Sequence, residues 1–360
     1  MSRFIFFTKT RWSEPPRLRH QLASLLTAVG HEVLFFQKPG LSGPVPPPTP
    51  AGSGLVLAGH RELLHHRLRL LPVLHRANRR VVERSVTRVM DEIGRRPDDV
   101  VVNFNYDYWF LRGLFPGRRL ITVINDDFVN SGPFGYAGAA RWAIARTCAS
   151  SDRVLTVSRA LQRGLAPFCD AELFLPWADR PYQAPSHGRE RNVLLFWGFI
   201  DRRMDFALMT EAAAALARDM PAIRIVLAGP QEDRVAAQVE KLKSTGNVTR
   251  IAEAGLGQLP LDEVLAGIIP YRAGDPVSDA IMLPNKAMPL LARGVPLMIA
   301  GMPDFIEAPF VLRFGRGTAV DVVRELQRCH AIVQPHIERF VASNTATARA
   351  AQFLGQIEGA

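Results

Sequence analysis

Residues 283–301 read LPNKAMPLLARGVPLMIAG and predict a helix that leads through a glycine into a buried strand. Pro284 suits the first position of a helix, where its missing N–H costs nothing, and Gly294 suits the left-handed conformation that ends one. Lys286 would lie in the first turn, where the free N–H groups of a helix already favour an anion. The stretch indicates an α/β fold with a phosphate site at a helix start, although an ordinary helix with a surface lysine has the same pattern.

The alternation of apolar runs and amphipathic segments extends over the whole chain. Predicted strands cover residues 3–7, 32–36, 55–58, 68–73, 99–104, 119–125, 153–157, 193–197, 223–228, 248–251, 267–271 and 296–300. Predicted helices cover residues 18–29, 78–93, 139–148, 205–219, 235–243, 285–293, 320–332 and 346–357. Strands that alternate with helices predict parallel sheets, so we expect two Rossmann-like, doubly wound domains that face each other across a cleft.

The domain boundaries follow from length and composition. A chain of 360 residues exceeds the roughly 250 to 300 residues of a single core. The polar segment 179–192, DRPYQAPSHGRERN, has the composition of a linker. We therefore predict an N-terminal domain over 1–178, a C-terminal domain over 193–335, and a helical segment over 336–360 that packs back on the N-terminal domain.

Composition is that of a globular protein, with 48% hydrophobic and 22% charged residues. No apolar run approaches the roughly 18 residues that span a bilayer, and the first apolar run is too short for a signal peptide. We therefore expect a cytoplasmic protein. Cys148, Cys169 and Cys329 are far apart in the sequence and odd in number, which indicates neither a disulfide framework nor a metal site.

The positive charge is concentrated in the first half of the chain. Residues 1–180 contain 25 basic and 15 acidic residues, which accounts for the whole net charge of +10. Ten arginines lie between Arg61 and Arg96. Such a surface favours an anionic partner, above all the inner face of the cytoplasmic membrane, whereas no motif for nucleic-acid binding is present. A solvated helix face is the alternative interpretation.

Seven segments, taken in order, resemble the GT-B glycosyltransferases and, within them, the family 4-like group (glycosyltransferase group 1). They are RWSEPPRLRHQLASLLTAVGHEVLFF (11–36), SDRVLTVSRALQRGLAPF (151–168), NVLLFWGFIDRRMDF (192–206), IRIVLAGP (223–230), NVTRI (247–251), GIIPYR (267–272) and the opening stretch 283–301. The ordered set carries the resemblance, and it covers nearly the whole chain. A GT-B fold implies two Rossmann-like domains.

The resemblance implies a nucleoside diphosphate sugar as donor, bound mainly by the C-terminal domain. Lys286 is similar to a lysine that contacts the donor diphosphate, and Arg202 or Arg203, after the Gly198 turn, is similar to its usual basic partner. Further donor-binding candidates are Tyr271, Arg272, Asp279 and Asn285. Fixed cations can neutralise the leaving diphosphate. Since no DxD motif is present on a loop, we expect neither a metal nor another cofactor.

The chain departs from the family at the residues tied to mechanism. Retaining family 4 enzymes carry two glutamates eight positions apart, and the matching positions here are Ile281 and Pro289. Inverting polysaccharide glucuronosyltransferases instead have an aspartate in the N-terminal domain. By that comparison Asp127, with Asp126 as alternate, is the general base that deprotonates the acceptor hydroxyl. A turn or helix cap is the alternative role for either aspartate.

The acceptor is expected on the N-terminal domain. Trp12 and Glu14 lie in the first loop after a strand, and Tyr106 offers an aromatic surface of the kind that stacks on sugars. These expectations describe a glycosyltransferase that acts on a polysaccharide or a lipid-linked saccharide. A catalytically inactive GT-B scaffold and a nucleotide-sugar epimerase are the alternatives.

Overall fold

The computed structural model describes residues 2–14, 17–65, 68, 72–130, 137–186, 190–252 and 254–358. The strands are β1 (Arg3–Phe7), β2 (Glu32–Phe36), β3 (Thr49–Gly52), β4 (Leu55–Ala58), β5 (Val100–Asn103), β6 (Arg119–Ile124), β7 (Arg153–Thr156), β8 (Ala171–Leu173), β9 (Val193–Trp197), β10 (Arg224–Ala228), β11 (Val248–Ile251), β12 (Val264–Pro270), β13 (Leu297–Ala300) and β14 (Val311–Arg313). The helices are α1 (Leu18–Ala28), α2 (Pro72–Ile93), α3 (Leu111–Leu114), α4 (Ala137–Ser150), α5 (Arg159–Leu165), α6 (Phe206–Asp219), α7 (Ala236–Lys243), α8 (Pro276–Asp279), α9 (Ala287–Leu291), α10 (Ala319–Cys329), α11 (Gln334–Ser343) and α12 (Ala346–Glu358).

The chain divides into two compact units. The N-terminal unit comprises residues 1–175 and 350–360, and the C-terminal unit comprises residues 176–349. The last residues of the chain belong to the N-terminal unit because Phe353 packs on Phe4 and Phe174, with ring centroids 6.0 and 5.8 Å apart. The predicted C-terminal segment 336–360 is thus divided between the units, since α11 lies in the C-terminal unit.

The N-terminal unit contains an eight-stranded sheet in the order β3-β4-β2-β1-β5-β6-β7-β8. Every pair in this sheet is parallel except β3 with β4, an antiparallel pair at one edge that the sequence pattern did not predict. The central strand β1 is RFIFF and is buried along its whole length. A continuous apolar run of this kind is typical of a parallel strand with helices on both faces. The predicted α/β class is confirmed.

Helix α2 begins earlier than predicted. The pattern RLRLLPV suggested a strand over 68–73 and a helix from residue 78, but Pro72 is already the first residue of a 22-residue helix and Leu68 lies in a turn. Residues 69–71 of the predicted strand lie outside the described residues. Proline fits the first helical position because no N–H is required there, and this local rule decides the boundary. The prediction of a strand at 72–73 was wrong.

The C-terminal unit contains a six-stranded, fully parallel sheet in the order β11-β10-β9-β12-β13-β14. Strands β9 and β12 lie at its centre, and β12 is buried over all seven residues. The carboxyl ends of the parallel strands all lie at one edge of this sheet, which is where open α/β folds bind ligands. The helix of the opening stretch, α9, belongs to this unit.

Helix α9 is shorter than predicted. It spans five residues and starts at Ala287, so Pro284 lies before it and Lys286 takes the N-cap position rather than the first turn. The amide N–H of Ala287 donates to the carbonyl oxygen of Pro284 at 2.9 Å. Gly294 has a φ of +69° and ends this region in the left-handed conformation, as predicted. The predicted bounds of this helix, 285–293, are therefore wrong, whereas the anion site expected at its start stays a prediction that is argued below from the contacts of Lys286.

Candidate functional site

Glycines follow the central strands of the C-terminal sheet and bring backbone segments into close contact. Gly198 follows β9 with a φ of +135°, and Gly229 follows β10 with a φ of +141°. A Cβ atom on Gly229 would overlap the carbonyl oxygen of Gly198. Only glycine combines this φ with such a close approach. The segments that follow β9 and β10 therefore meet backbone against backbone at the carboxyl edge of the sheet.

Lys286 lies against this glycine floor. A Cβ atom on Gly198 would be 3.2 Å from both Cε and Nζ of Lys286. The ammonium group lies 3.9 Å from the ring centroid of Phe196 and 5.2 Å from that of Tyr271. Nζ is shielded from solvent and, among the described residues, has no hydrogen-bond partner.

The aromatic neighbours of this lysine offset only part of the cost of burying its charge. A desolvated cation–π contact contributes about 2 kcal/mol, whereas burying an ion costs several kcal/mol. The aromatic rings alone therefore leave the ammonium undercompensated. A phosphate oxygen within reach of Nζ would supply the charge and the acceptor that the protein lacks at this point.

Arg203 is neutralised inside the protein. Its guanidinium donates to both carboxylate oxygens of Asp201, at distances of 2.6 to 3.0 Å, and lies over the ring of Tyr271. Burial alone would raise the pKa of Asp201, but the hydrogen bonds and charge of Arg203, with a contribution from Lys286, hold that pKa below its usual value. Arg202 is exposed, and its side chain has no ion-pair partner among the described residues. Of the two predicted basic partners of the donor, Arg203 is thus paired with Asp201, whereas the charge of Arg202 is available to a ligand.

The remaining donor candidates lie along the same edge of the sheet. Tyr271 follows β12 and is 3% exposed, with its ring used by Arg203 and Lys286. Arg272 is exposed and its backbone N–H donates to the carbonyl oxygen of Arg203 at 2.8 Å. Asn285 is exposed in the turn before α9.

Short helix α8 holds a second group of polar atoms without partners. Asp275 caps this helix by accepting from the backbone N–H groups of residues 277 and 278. The Ser278 hydroxyl and one carboxylate oxygen of Asp279 are buried and, in the described part of the chain, have no hydrogen-bond partner. Asp279 was predicted as a donor ligand, whereas Ser278 was missed because an isolated serine has no distinguishing sequence signal. Unsatisfied buried polar atoms of this kind require a partner such as water or ligand.

The predicted bases follow β6 in the N-terminal unit. Asp127 accepts from the backbone N–H groups of Val129 and Asn130, at 3.1 and 3.0 Å, and from the Asn130 side-chain amide at 2.6 Å. These contacts form the turn cap that was the alternative role for this residue. Asp126 is exposed, and it accepts from the backbone N–H of Asp127 at 2.9 Å. The catalytic role of either aspartate stays a prediction.

The predicted acceptor residues are largely committed to packing. Trp12 packs on His20 and Phe35, with ring centroids 5.3 and 5.1 Å away. Glu14 accepts from the backbone N–H of Arg11 at 3.0 Å. Their role in acceptor binding stays a prediction.

Tyr106 is 4% exposed and forms part of a cluster that the sequence did not reveal. It stacks on Phe128 at 4.6 Å, and the ammonium of Lys9 lies 4.6 Å from its ring centroid. The same ammonium is 3.2 Å from Oδ1 of Asp107, which is fully buried. Lys9 and Asp107 are 98 positions apart, so no local motif predicts the pair.

No protein-family model matches the chain. One curated protein, the "Putative teichuronic acid biosynthesis glycosyltransferase TuaH" of Bacillus subtilis, is 26% identical over 181 residues. The match covers 48% of this chain and 44% of that protein, so less than half of the relative's length is represented.

Solved structures match over almost the whole chain. The "alpha,alpha-trehalose-phosphate synthase (UDP-forming)" of Burkholderia vietnamiensis has a TM-score of 0.71 at 11% identity, covering 99% of this chain and 96% of that one. The "lipopolysaccharide outer core galactosyltransferase WaaB" has a TM-score of 0.64 at 12% identity and covers 99% of both chains. The chain has the GT-B glycosyltransferase fold. Its two parallel sheets are the two Rossmann-like domains of that fold.

The described residues were also searched for membrane-spanning helices and for groups of metal ligands. None of the helices in those ranges has the length and apolar character needed to cross a bilayer. Within the same ranges, histidine, cysteine and acidic side chains form no group of three that could hold a metal ion.

Proposed function

We propose that this GT-B protein is a glycosyltransferase that moves a sugar from a nucleoside diphosphate donor to a saccharide or lipid-linked saccharide acceptor. The observation that carries the proposal is the buried Lys286 ammonium, which has aromatic neighbours but no hydrogen-bonding or ion-pair partner among the described residues. A donor diphosphate would supply that anion. The proposal agrees with the names of three similar proteins, which are a putative glycosyltransferase, a UDP-forming trehalose-phosphate synthase and a galactosyltransferase.

The chemistry of the proposed donor site follows from its charges. When the glycosidic bond to the donor breaks, negative charge grows on the leaving diphosphate. Lys286 would neutralise that charge at the backbone floor formed by Gly198, and Arg202 would add a second cation. Arg203 would instead hold Asp201 and the ring of Tyr271 in position. Because these side chains supply the positive charge, we propose that transfer needs no divalent metal.

We propose that Asp126 or Asp127 acts as general base on the acceptor hydroxyl. The carboxylate of Asp127 accepts hydrogen bonds from the backbone N–H groups of Val129 and Asn130. Asp126 is exposed, and its carboxylate accepts from the backbone N–H of Asp127. Once the base has taken its proton, the acceptor oxygen would attack the anomeric carbon from the side opposite the leaving diphosphate, and this displacement would invert the anomeric centre.

The activity is tested by incubating the full chain with a panel of nucleoside diphosphate sugars and saccharide acceptors, in the presence of EDTA. We expect release of nucleoside diphosphate with at least one donor. Asp126→Asn and Asp127→Asn keep the side-chain oxygen that accepts turn hydrogen bonds but remove the base, so the catalytic aspartate should lose about 10²- to 10⁴-fold in rate. If the protein binds nucleoside diphosphate sugars but transfers sugar from none of them, it is an inactive scaffold. If it binds no nucleotide at all, the proposal is overturned.

We further propose that the N-terminal unit binds the anionic face of a membrane through helix α2. Arg76, Arg80, Arg84 and Arg88 recur every four residues on this helix and all four are exposed. Side chains at this spacing lie on one side of a helix. None of the four has an ion-pair partner among the described residues. Each basic residue near an anionic bilayer contributes roughly 1 kcal/mol of attraction.

Vesicle sedimentation tests the membrane proposal. Replacing Arg80, Arg84 and Arg88 together by glutamine should weaken binding to phosphatidylglycerol vesicles by about 100-fold at low salt. The matched control replaces Arg316, Arg324 and Arg328 of the C-terminal unit in the same way and should bind like the parent. Wild-type binding that does not respond to salt would contradict an electrostatic origin.

A further inference from the structure

A small cationic cavity lies in the N-terminal unit, away from the proposed donor site, and shares only Arg76 with the arginine face of α2. Its volume is about 160 Å³. The lining side chains come from three segments: helix α2, the loop after β5, and helix α4. They are His75, Arg76, Arg79, Trp109, Trp142 and Arg146.

The position of the cavity in the topology favours a ligand. Helix α2 follows β4, Trp109 follows β5, and α4 follows β6, so each segment starts from the carboxyl edge of the sheet. The lining residues of both helices lie in their first ten residues. Ligands of open α/β sheets bind at this edge.

The charge of the cavity is only partly neutralised. Arg79 donates to Glu83 at 2.7 Å. Arg76 and Arg146 have no acidic partner in the described ranges, and the guanidinium carbon of Arg146 lies 5.3 Å from the ring centroids of both Trp109 and Trp142. Two guanidinium groups without counter-ions match the charge of a phosphate monoester dianion, and their planar donor forks match its oxygens.

The walls of the cavity are held in place before any ligand arrives. His75 is 3% exposed, stacks on Trp109 at 3.8 Å, and has Nε2 at 3.3 Å from the carbonyl oxygen of Asp107. Trp109 and Trp142 meet edge to face at 4.9 Å. The faces of Trp109 are engaged by His75 and Arg146, which disfavours stacking of a nucleobase on this indole. Preorganised side chains of this kind bind a small anion without an ordering cost.

We propose that this cavity binds a single phosphoryl group, as carried by a phosphate monoester. A volume of about 160 Å³ is below the roughly 300 to 1,000 Å³ of sites for larger ligands, so a complete nucleotide sugar does not fit. The phosphoryl group belongs to a soluble ester or to a lipid headgroup. Val73, next to the first residue of α2, is 75% exposed and provides an apolar contact that suits the lipid source.

The test uses the full chain and two phosphate probes. Intrinsic tryptophan fluorescence and calorimetry follow titration with glycerol 1-phosphate, and flotation follows vesicles that contain phosphatidic acid in phosphatidylcholine. We expect Arg146→Ala to weaken binding of at least one probe by about tenfold or more. Arg141→Ala, on the same helix and exposed but outside the cavity, is the matched control and should bind like the parent.

The outcomes separate the two sources and can overturn the proposal. Loss of both probes in Arg146→Ala supports a site for phosphate esters in general, and loss of vesicle binding alone supports a lipid headgroup. If Arg146→Ala does not fold, Arg76→Ala repeats the test with glycerol 1-phosphate, because Arg76 is exposed on α2 but also belongs to the arginine face proposed to bind membranes. If both cavity variants bind both probes like Arg141→Ala, or if the parent binds neither probe, the cavity is not a phosphoryl site. None of these binding measurements requires sugar transfer, so they stand apart from the proposed enzyme activity.

Discussion

Lys9 in the N-terminal unit and Lys286 in the C-terminal unit occupy similar places and differ in one partner. Each follows or adjoins the carboxyl edge of a parallel sheet, and each ammonium lies over an aromatic ring, Tyr106 for Lys9 and Phe196 for Lys286. Lys9 also has the buried carboxylate of Asp107 at 3.2 Å, whereas Lys286 has no acid partner in the described residues. The comparison indicates that an internal counter-ion gives the first lysine a structural role, whereas the second has the uncommitted charge that the proposed donor diphosphate would use.

The largest effect is expected at Lys286. Lys286→Met keeps the apolar stem that packs on Phe196 and removes the charge, so transfer should fall by about 10²- to 10³-fold because a cation that stabilises the leaving diphosphate is lost. The free energy of unfolding without ligand should stay the same or rise, since an uncompensated buried charge is removed. Steady-state transfer assays and urea unfolding measure the two quantities.

Lys241→Met on α7 is the matched control for Lys286→Met. Lys241 is exposed in the same unit, so both quantities should stay at the parent values. If Lys286→Met retained full transfer, or if it lost about 3 kcal/mol of stability without ligand, Lys286 would be a structural residue like Lys9.

The opposite result is expected at Lys9. Lys9→Met removes the Lys9 ammonium from the fully buried carboxylate of Asp107, and removing one partner of a buried pair costs about 3 to 5 kcal/mol. Lys9 is itself partly exposed, so we expect a loss of about 2 to 3 kcal/mol in the free energy of unfolding. Urea unfolding measures this loss, and Lys38→Met, an exposed lysine of the same unit, should show none.

A double variant tests whether Lys9 and Asp107 stabilise the fold as an ion pair. Lys9→Met with Asp107→Asn removes both charges and should recover part of the stability lost by Lys9→Met alone, because the uncompensated carboxylate is gone. Additive losses in the double variant would show that Lys9 and Asp107 do not act as a pair.

The sequence predicted the two sheets better than it predicted the sites. Strands such as β1 and β12 are continuous apolar runs, and burial on both faces makes that pattern unambiguous. The beginning of α2 was missed because RLRLL alternates as a strand does, while the decisive residue was a single proline at the helix start.

The sites depend on contacts between distant segments. Lys286 was selected by resemblance, but its burial against Gly198 and Phe196 joins positions about 90 residues apart. The cationic cavity of the N-terminal unit is lined by residues of α2 and α4 and by Trp109, which no local motif connects. Cys148 and Cys169 likewise belong to one hydrophobic cluster of the N-terminal unit, although their sequence spacing suggested no relation. Local patterns specify elements, whereas these partnerships arise only when the sheets form.

The smallest effect is expected at His330, another basic group of the C-terminal unit. Its ring nitrogen Nε2 is buried and, in the described chain, has no hydrogen-bond partner, as is the case for Nζ of Lys286. Burial, with the positive charge of Arg191, lowers the pKa of His330 to about 4. At neutral pH the imidazole of His330 is therefore uncharged, and it avoids the cost of a buried charge by releasing its proton. The unfolded chain binds that proton with the ordinary pKa of about 6.5, so the unfolded state gains protons first as the pH falls. The wild type should therefore lose about 1 to 2 kcal/mol of stability between pH 6.5 and pH 4, allowing for partial exposure, relative to His330→Gln.

Urea unfolding at pH 7 and pH 4.5 measures the difference, with His336→Gln on α11 as the control that should keep the wild-type pH dependence. Equal pH dependence of wild type and His330→Gln would mean that His330 is charged in the folded protein, and then an unpaired buried cation would not by itself mark a ligand site.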